Sequence, residues 1–175
     1  MSLDVVGLDL SLNHTGIAYP GGSTEVLEPT KLRGTARHAA VRSAVLERVR
    51  GADVIVLEAP FVARMDQVTQ DILMLHGVVA VTLWANRIPV ARLAPSTLKL
   101  YATGHGHASK IGMRDALHER TLLRITDDNE VDAWWLRAAG RARYGTPVVS
   151  LPDEQTAALD AGVWPSIDTI AATVL

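Results

Sequence analysis

The stretch GLDLSLNHTG, residues 7–16, sets an acidic residue, Asp9, at the end of an apolar run that enters a polar turn. The run around it, LDVVGLDL (3–10), is rich in Val and Leu as a central strand is, and TGIAYP (15–20) reads as its hairpin partner. A charge in a half-buried strand is costly unless it is paired, hydrogen-bonded or bound to a metal, so Asp9 needs a partner elsewhere in the chain.

Outward from that hairpin, TEVLEP (24–29) continues the meander and Pro29 ends it. TARHAAVRSAVLERVRG (35–51) then has helical periodicity, with Thr35 as its cap and Gly51 as its stop. DVIVLEAP (53–60) is a short apolar run typical of a buried parallel strand, and it too ends in a carboxylate, Glu58. A helix follows over roughly Met65 to Asn86, apolar around so much of its circumference that it must be covered on more than one side, for which a second subunit is one solution. IPVARLAP (88–95) is a further strand, SKIGMRDALHERTL (109–122) an amphipathic helix, and DDNEVDAWWLRAAGRARYG (127–145) a last helix closed by Gly145. Strands first, then helix and strand in alternation, predict an α/β fold in which an antiparallel hairpin joins parallel strands. Residues 1–145 form one domain in this reading, with 146–175 an appendage packed on it.

The 175 residues are 48% hydrophobic and 21% charged, which is globular composition, and the absence of cysteine excludes disulfides and thiolate metal sites. Neither a signal peptide nor a membrane segment is expected, and a cytoplasmic location is. A net charge of −2 does not advertise nucleic-acid binding, but its distribution is uneven. Between Arg92 and Arg124, Lys99, Lys110, Arg114 and Arg120 are opposed only by Asp115 and Glu119. That segment is either a locally positive surface or a solvated helix face with ordinary ion pairs.

Functional positions of parallel strands cluster at their carboxyl ends, which brings Asp9 and Glu58 within reach of each other. Asp127 and Glu130 have capping-box spacing, so Asp128, Asn129 and Asp132 fall in the first turns of the last helix and share a face. Oxygen ligands converging in this way suit hard divalent cations, and a pair of such ions is a known device for phosphodiester hydrolysis. Taken singly, each residue also has a plain structural explanation: a turn-forming Asp9, a salt-bridged Glu58, helix-capping acids at 127–132.

Together the landmarks GLDLSLNHTGIAY, VIVLEAPF, LHGVVAVTLWANRIPVARLAPSTLKLYATGHGHASK and NEVDAWWLRAAG resemble the RuvC-type Holliday junction resolvases of the divergent, phage-borne sort, within the RNase H-like nuclease superfamily. The middle block is the most specific, because Pro95, Lys99, Gly104, Gly106, Ala108 and Lys110 are similar in spacing to the family's segment between two lysines. The resemblance implies an RNase H-like mixed five-stranded sheet flanked by helices on both faces. It implies a homodimeric crossover junction endodeoxyribonuclease that nicks branched DNA symmetrically by two-metal-ion hydrolysis, with magnesium, or manganese, at two ions per site. Asp9, Glu58 and Asp132 match three of the family's metal-binding carboxylates and the fourth position falls on Asn129, so either Asn129 or the neighbouring Asp128 completes the set. Lys110 matches a catalysis-supporting lysine and Lys99 a phosphate-contacting one. Phe61 matches an aromatic that stacks on an unpaired base, or is a core residue beside Pro60. His105, His107 and Arg114 join the DNA-binding set; two His at i, i+2 in a glycine-rich loop lack what zinc requires. Trp134 and Trp135 point about 100° apart on a helix, so one belongs to the core. The alternative function is a catalytically weak branched-DNA-binding protein of the same fold.

Overall fold

The computed structural model describes residues 2–28 and 31–173. Five strands, β1 (Val5–Asp9), β2 (Thr15–Ala18), β3 (Thr24–Leu27), β4 (Val54–Glu58) and β5 (Val90–Leu93), form one mixed sheet in the order β3-β2-β1-β4-β5. β1 pairs antiparallel with β2 and parallel with β4; β2–β3 is antiparallel and β4–β5 parallel. The central position of β1 explains its unbroken apolar run, since both of its faces are covered. Pro29, expected to end the meander, lies outside the described residues; β3 ends at Leu27.

Strand alternation divides the core into two layers. Val6, Leu8, Ile55 and Leu57 face α1 (Gly34–Val49) and α2 (Gln67–Ala85), against Val41, Val45, Leu75, Val79 and Leu83. Val5, Val54, Val56, Ala91 and Leu93 face α3 (Pro95–Thr103), α4 (Lys110–Thr121) and α5 (Asp128–Arg143). Asp9 and Glu58 have the parity of this second set. Both carboxylates therefore project toward α5.

α5 lies on the sheet more closely than any side chain would permit. A Cβ on Gly16 would stand 2.1 Å from the Asn129 carbonyl oxygen, and one on Gly7 would stand 1.9 Å from that of Ala133. A Cβ on Gly140 would meet Val56 and Val5 at 2.6 and 2.7 Å. These three contacts run the helix from β2 across β1 to β4 and start it at the carboxyl end of β1. α5 is buried on nearly every side, so Trp134 and Trp135 are both core residues, where one was expected. Trp135 donates its Nε1–H to the Met113 carbonyl. Arg137, also buried, donates from Nε and Nη2 to the Pro20 carbonyl and so ties α5 to the β2–β3 connection.

Three other expectations shift. α1 is capped by Arg33 without a side-chain bond, and Thr35 lies inside its first turn. α3 is an additional helix, with Pro95 in its first turn and Gly104 in the left-handed conformation behind it, the arrangement proline and glycine favour at helix ends. α2 buries only Leu75, Val79 and Leu83; Met74, Val78, Val81 and Trp84 on its other side are exposed. By length and hydropathy α2 is the one helix among the described residues that could cross a membrane, but its buried stripe packs on the sheet.

Beyond α5 the chain forms α6 (Asp153–Ala157), a 3-10 turn (Ala158–Ala161) and α7 (Ile167–Ala171). Gln155 Nε2 donates to the Tyr101 carbonyl at 2.9 Å, and Leu159 and Ile170 are buried. Val163 exchanges two backbone hydrogen bonds with Arg92, 2.8 and 2.9 Å, covering the free edge of β5.

Candidate active site

Parallel register pairs Leu8 with Leu57, so the next residues along, Asp9 and Glu58, leave the sheet side by side. α5 delivers the third acid. Asp127 caps it, accepting from the Asn129 and Glu130 amides at 2.8 and 3.2 Å. Glu130 does not close the box but accepts from Thr24 Oγ1 at 3.0 Å. With the cap fixed at the β1–β2 turn, Asp132 one turn further on comes down beside Asp9 and Glu58.

Among the described residues, none of these three carboxylates accepts a hydrogen bond or forms an ion pair; their electrostatics show the consequence. Burial, then the charges of Glu58 and Asp132, hold the Asp9 carboxyl well above the usual range, with Lys110 opposing. Burial and Asp132 push Glu58 up to about 7, against the pull of Lys99. Asp132 is pushed up to about 6, again by burial first, while Lys110 and Lys99 both draw it down. Lys99 acts on Glu58, Lys110 on Asp9, and both on Asp132. Lys99 comes from α3 and Lys110 from the first turn of α4.

This donor set has the chemistry of a magnesium or manganese site: half-buried carboxylates, no competing hydrogen-bond donors, and mutual repulsion that a divalent cation relieves. Among the described residues no three His, Asp or Glu side chains already stand at ligating spacing, so the fit is one of donor type and electrostatic reach. The remaining acids of the segment are engaged elsewhere. Asp128 lies 3.0 Å from Lys110 Nζ and 2.5 Å from Arg114 Nη2. Asn129 directs its amide Nδ2 to Asp127 Oδ1 at 3.1 Å.

Phe61, just beyond β4, is 77% exposed and not in the core. His105 and His107 are exposed in the turn between α3 and α4, where Ala108 N–H donates to the His105 carbonyl. Asp127, read from the sequence as the helix cap, also adds to the negative field on Asp9. One shifted group escapes a reading of the sequence: His76 of α2, in the layer on the other face of the sheet, beside Leu10 and Arg92, is lowered to about 4 chiefly by burial, and so is neutral at pH 7. Its position one turn from Ile72 and Val79, on the buried stripe, was the available signal.

By sequence, no family model and no curated protein matches the chain. Solved structures do match. Thermus thermophilus RuvC is similar at a TM-score of 0.65 and 22% identity, over 81% of this chain and 96% of that one. T. thermophilus RuvC in complex with Holliday junction substrate is similar at 0.67 and 22%, over 82% and 97%. The chain has the RuvC fold. With respect to RuvC, the part of this chain without a counterpart is less than a fifth of its length.

Proposed function

We propose that this chain is a divalent-metal-dependent, structure-selective endonuclease that cleaves Holliday junctions or other branched DNA by symmetric nicks, acting as a homodimer. The observation that carries the reading is the convergence of Asp9, Glu58 and Asp132, all without hydrogen-bond or ion-pair partners among the described residues, at the carboxyl edge of a RuvC-type sheet, with Lys99 and Lys110 in electrostatic reach. The RuvC structure in complex with Holliday junction substrate supports the choice of DNA. Residues 1–145 are the nuclease domain in this proposal and 146–175 the appendage.

Asp9, Glu58 and Asp132 would hold magnesium or manganese, two ions per site, with Asn129 contributing at most a neutral oxygen. Ions held by these carboxylates would supply activation of an attacking water and charge stabilisation at the leaving oxygen. Lys110 and Lys99 supply positive charge where the phosphate becomes more negative, without a proton having to move. Phe61 stands free to stack on an unpaired base at the branch point. Its replacement by Ala is expected to weaken junction binding by about 1–3 kcal/mol with little change on linear duplex, measured by gel shift in calcium.

Dimerisation is supported by the exposed apolar side of α2, where Met74, Val78 and Val81 follow at i, i+4 and i+7. Val81→Glu is expected to give a folded monomer by analytical ultracentrifugation, and to uncouple the two nicks so that singly cut junctions accumulate.

A second reading, a catalytically weak branched-DNA-binding protein, draws on Asn129, whose amide lowers the charge of the site and is tied to Asp127. A labelled four-way junction and a linear duplex of matched sequence, each incubated with magnesium, calcium or chelator, decide between them. Paired symmetric nicks on the junction in magnesium alone support the nuclease. A shifted, uncut junction in every condition supports the binder.

A further inference from the structure

Asp128 has the sequence position of a metal ligand and the contacts of something else. Its two oxygens are divided between cations of α4: Oδ1 takes Arg114 Nη2 and Oδ2 takes Lys110 Nζ. Lys110 is the first residue of its helix, with Ser109 as the cap, and its side chain is 72% exposed. Its stem is therefore held by little packing, and among the described residues the Asp128 carboxylate is the one ion-pair partner of the ammonium. The competing destinations are close by, because Asp132 and Asp9 also attract Lys110. Arg114 is less exposed than Lys110 and anchors the other side of Asp128, so the carboxylate itself has a fixed orientation. The i, i+4 relation of Asp128 and Asp132 on α5 then sets the Lys110 ammonium one helical turn from the acid cluster.

We propose that Asp128 is a positioning residue, bridging Arg114 and Lys110 so that the Lys110 ammonium stands at the rim of the site and off the carboxylates of Asp9 and Asp132. This rests on the nuclease reading for its catalytic consequence, though not for the clamp itself. An ammonium seated between Asp9 and Asp132 would compete with a divalent cation for the same oxygens; held on Asp128, it is left free to face a phosphate. The lysine here is the group that acts. Asp128 acts through it.

Two measurements test this. In the first, the metal-free protein is acetylated at lysines under limiting reagent and each site is quantified by mass spectrometry. Asp128→Asn should change the rate at Lys110 a few-fold, Arg114→Ala should move it in the same direction, and Lys99 should be unaffected. Equal Lys110 rates in all three proteins would overturn the clamp. In the second, junction cleavage is measured for Asp128→Asn, Lys110→Ala and the double variant, with manganese binding followed by calorimetry. Asp128→Asn should slow cleavage by roughly tenfold to a hundredfold, have no further effect once Lys110 is Ala, and leave the number of ions bound unchanged. Additive losses, or an ion missing in Asp128→Asn, would make Asp128 a ligand and overturn the proposal. A wild-type protein that cuts nothing while its Lys110 labelling responds to Asp128 would instead refute the nuclease reading and leave the clamp standing.

Discussion

If the chain is the nuclease proposed, Asp9→Asn is expected to reduce junction cleavage by at least roughly a thousandfold while leaving junction binding in place, and to make the metal-free protein more stable. Both effects have one cause. Asp9 feels the charges of both Glu58 and Asp132 and has no hydrogen-bond donor among the described residues, so its charge burdens the fold through burial and repulsion. An amide of the same shape relieves that repulsion but cannot replace an anionic ligand. The stabilisation is expected to be about 1–3 kcal/mol, or roughly 2–12 °C in melting temperature for a chain of this size. The same acids set the pH dependence. Glu58 and Asp132 titrate near 7 and 6 in the folded protein, above the ordinary carboxylate range of the unfolded chain. The folded state therefore holds extra protons, and the stability they confer, present in full below the unfolded values, is lost as pH rises through about 6 and 7. Melting temperatures of metal-free wild type from pH 5 to 8 should show this loss, and Asp9→Asn should flatten it. Magnesium should restore the wild type alone.

Among the glycines, Gly7 is where an added methyl group meets the closest backbone atom, so Gly7→Ala is expected to be strongly destabilising. The new carbon would stand 1.9 Å from the Ala133 carbonyl oxygen and 2.6 Å from the Arg137 amide nitrogen, both backbone atoms of a helix buried on nearly all sides. No rotamer change relieves such a contact; α5 must lift. The expected cost is about 3 kcal/mol or more in urea titrations. Because α5 carries Asp132, whatever fraction remains folded should also lose cleavage out of proportion to its stability. Gly21→Ala, where nothing lies within 4 Å, is the matched control and should be neutral in both respects.

Elements with strong periodicity or strong end signals were legible in the sequence. β1, β4, β5, α4 and α5 fall where the apolar patterns put them, and the Asp127 cap is where its spacing places it. The joining of an antiparallel hairpin to parallel strands followed from the order of strands and helices, and with it the neighbourhood of Asp9 and Glu58; the five-stranded sheet came from the family resemblance. What was hidden depends on contacts between distant segments. α3 is too short for its periodicity to stand out between a strand and a glycine-rich turn. The burial of both tryptophans and of Arg137 follows from how low α5 sits on Gly7 and Gly16, which no local pattern encodes. The fate of Asp128 is the clearest instance. Asp128 and Asp132 share one face of α5, and only the placement of α4 assigns one to a pair of cations and leaves the other facing Asp9.

Asp9, Glu58 and Asp132 are proposed as ligands of a common divalent-cation site, and anomalous diffraction from a crystal grown in manganese would locate the ion. Density is expected at about 2.1 Å from carboxylate oxygens of all three residues, with Asp128 still on Lys110 and Arg114. Manganese bound elsewhere, or absent from between these carboxylates at saturating concentration and neutral pH, would contradict it.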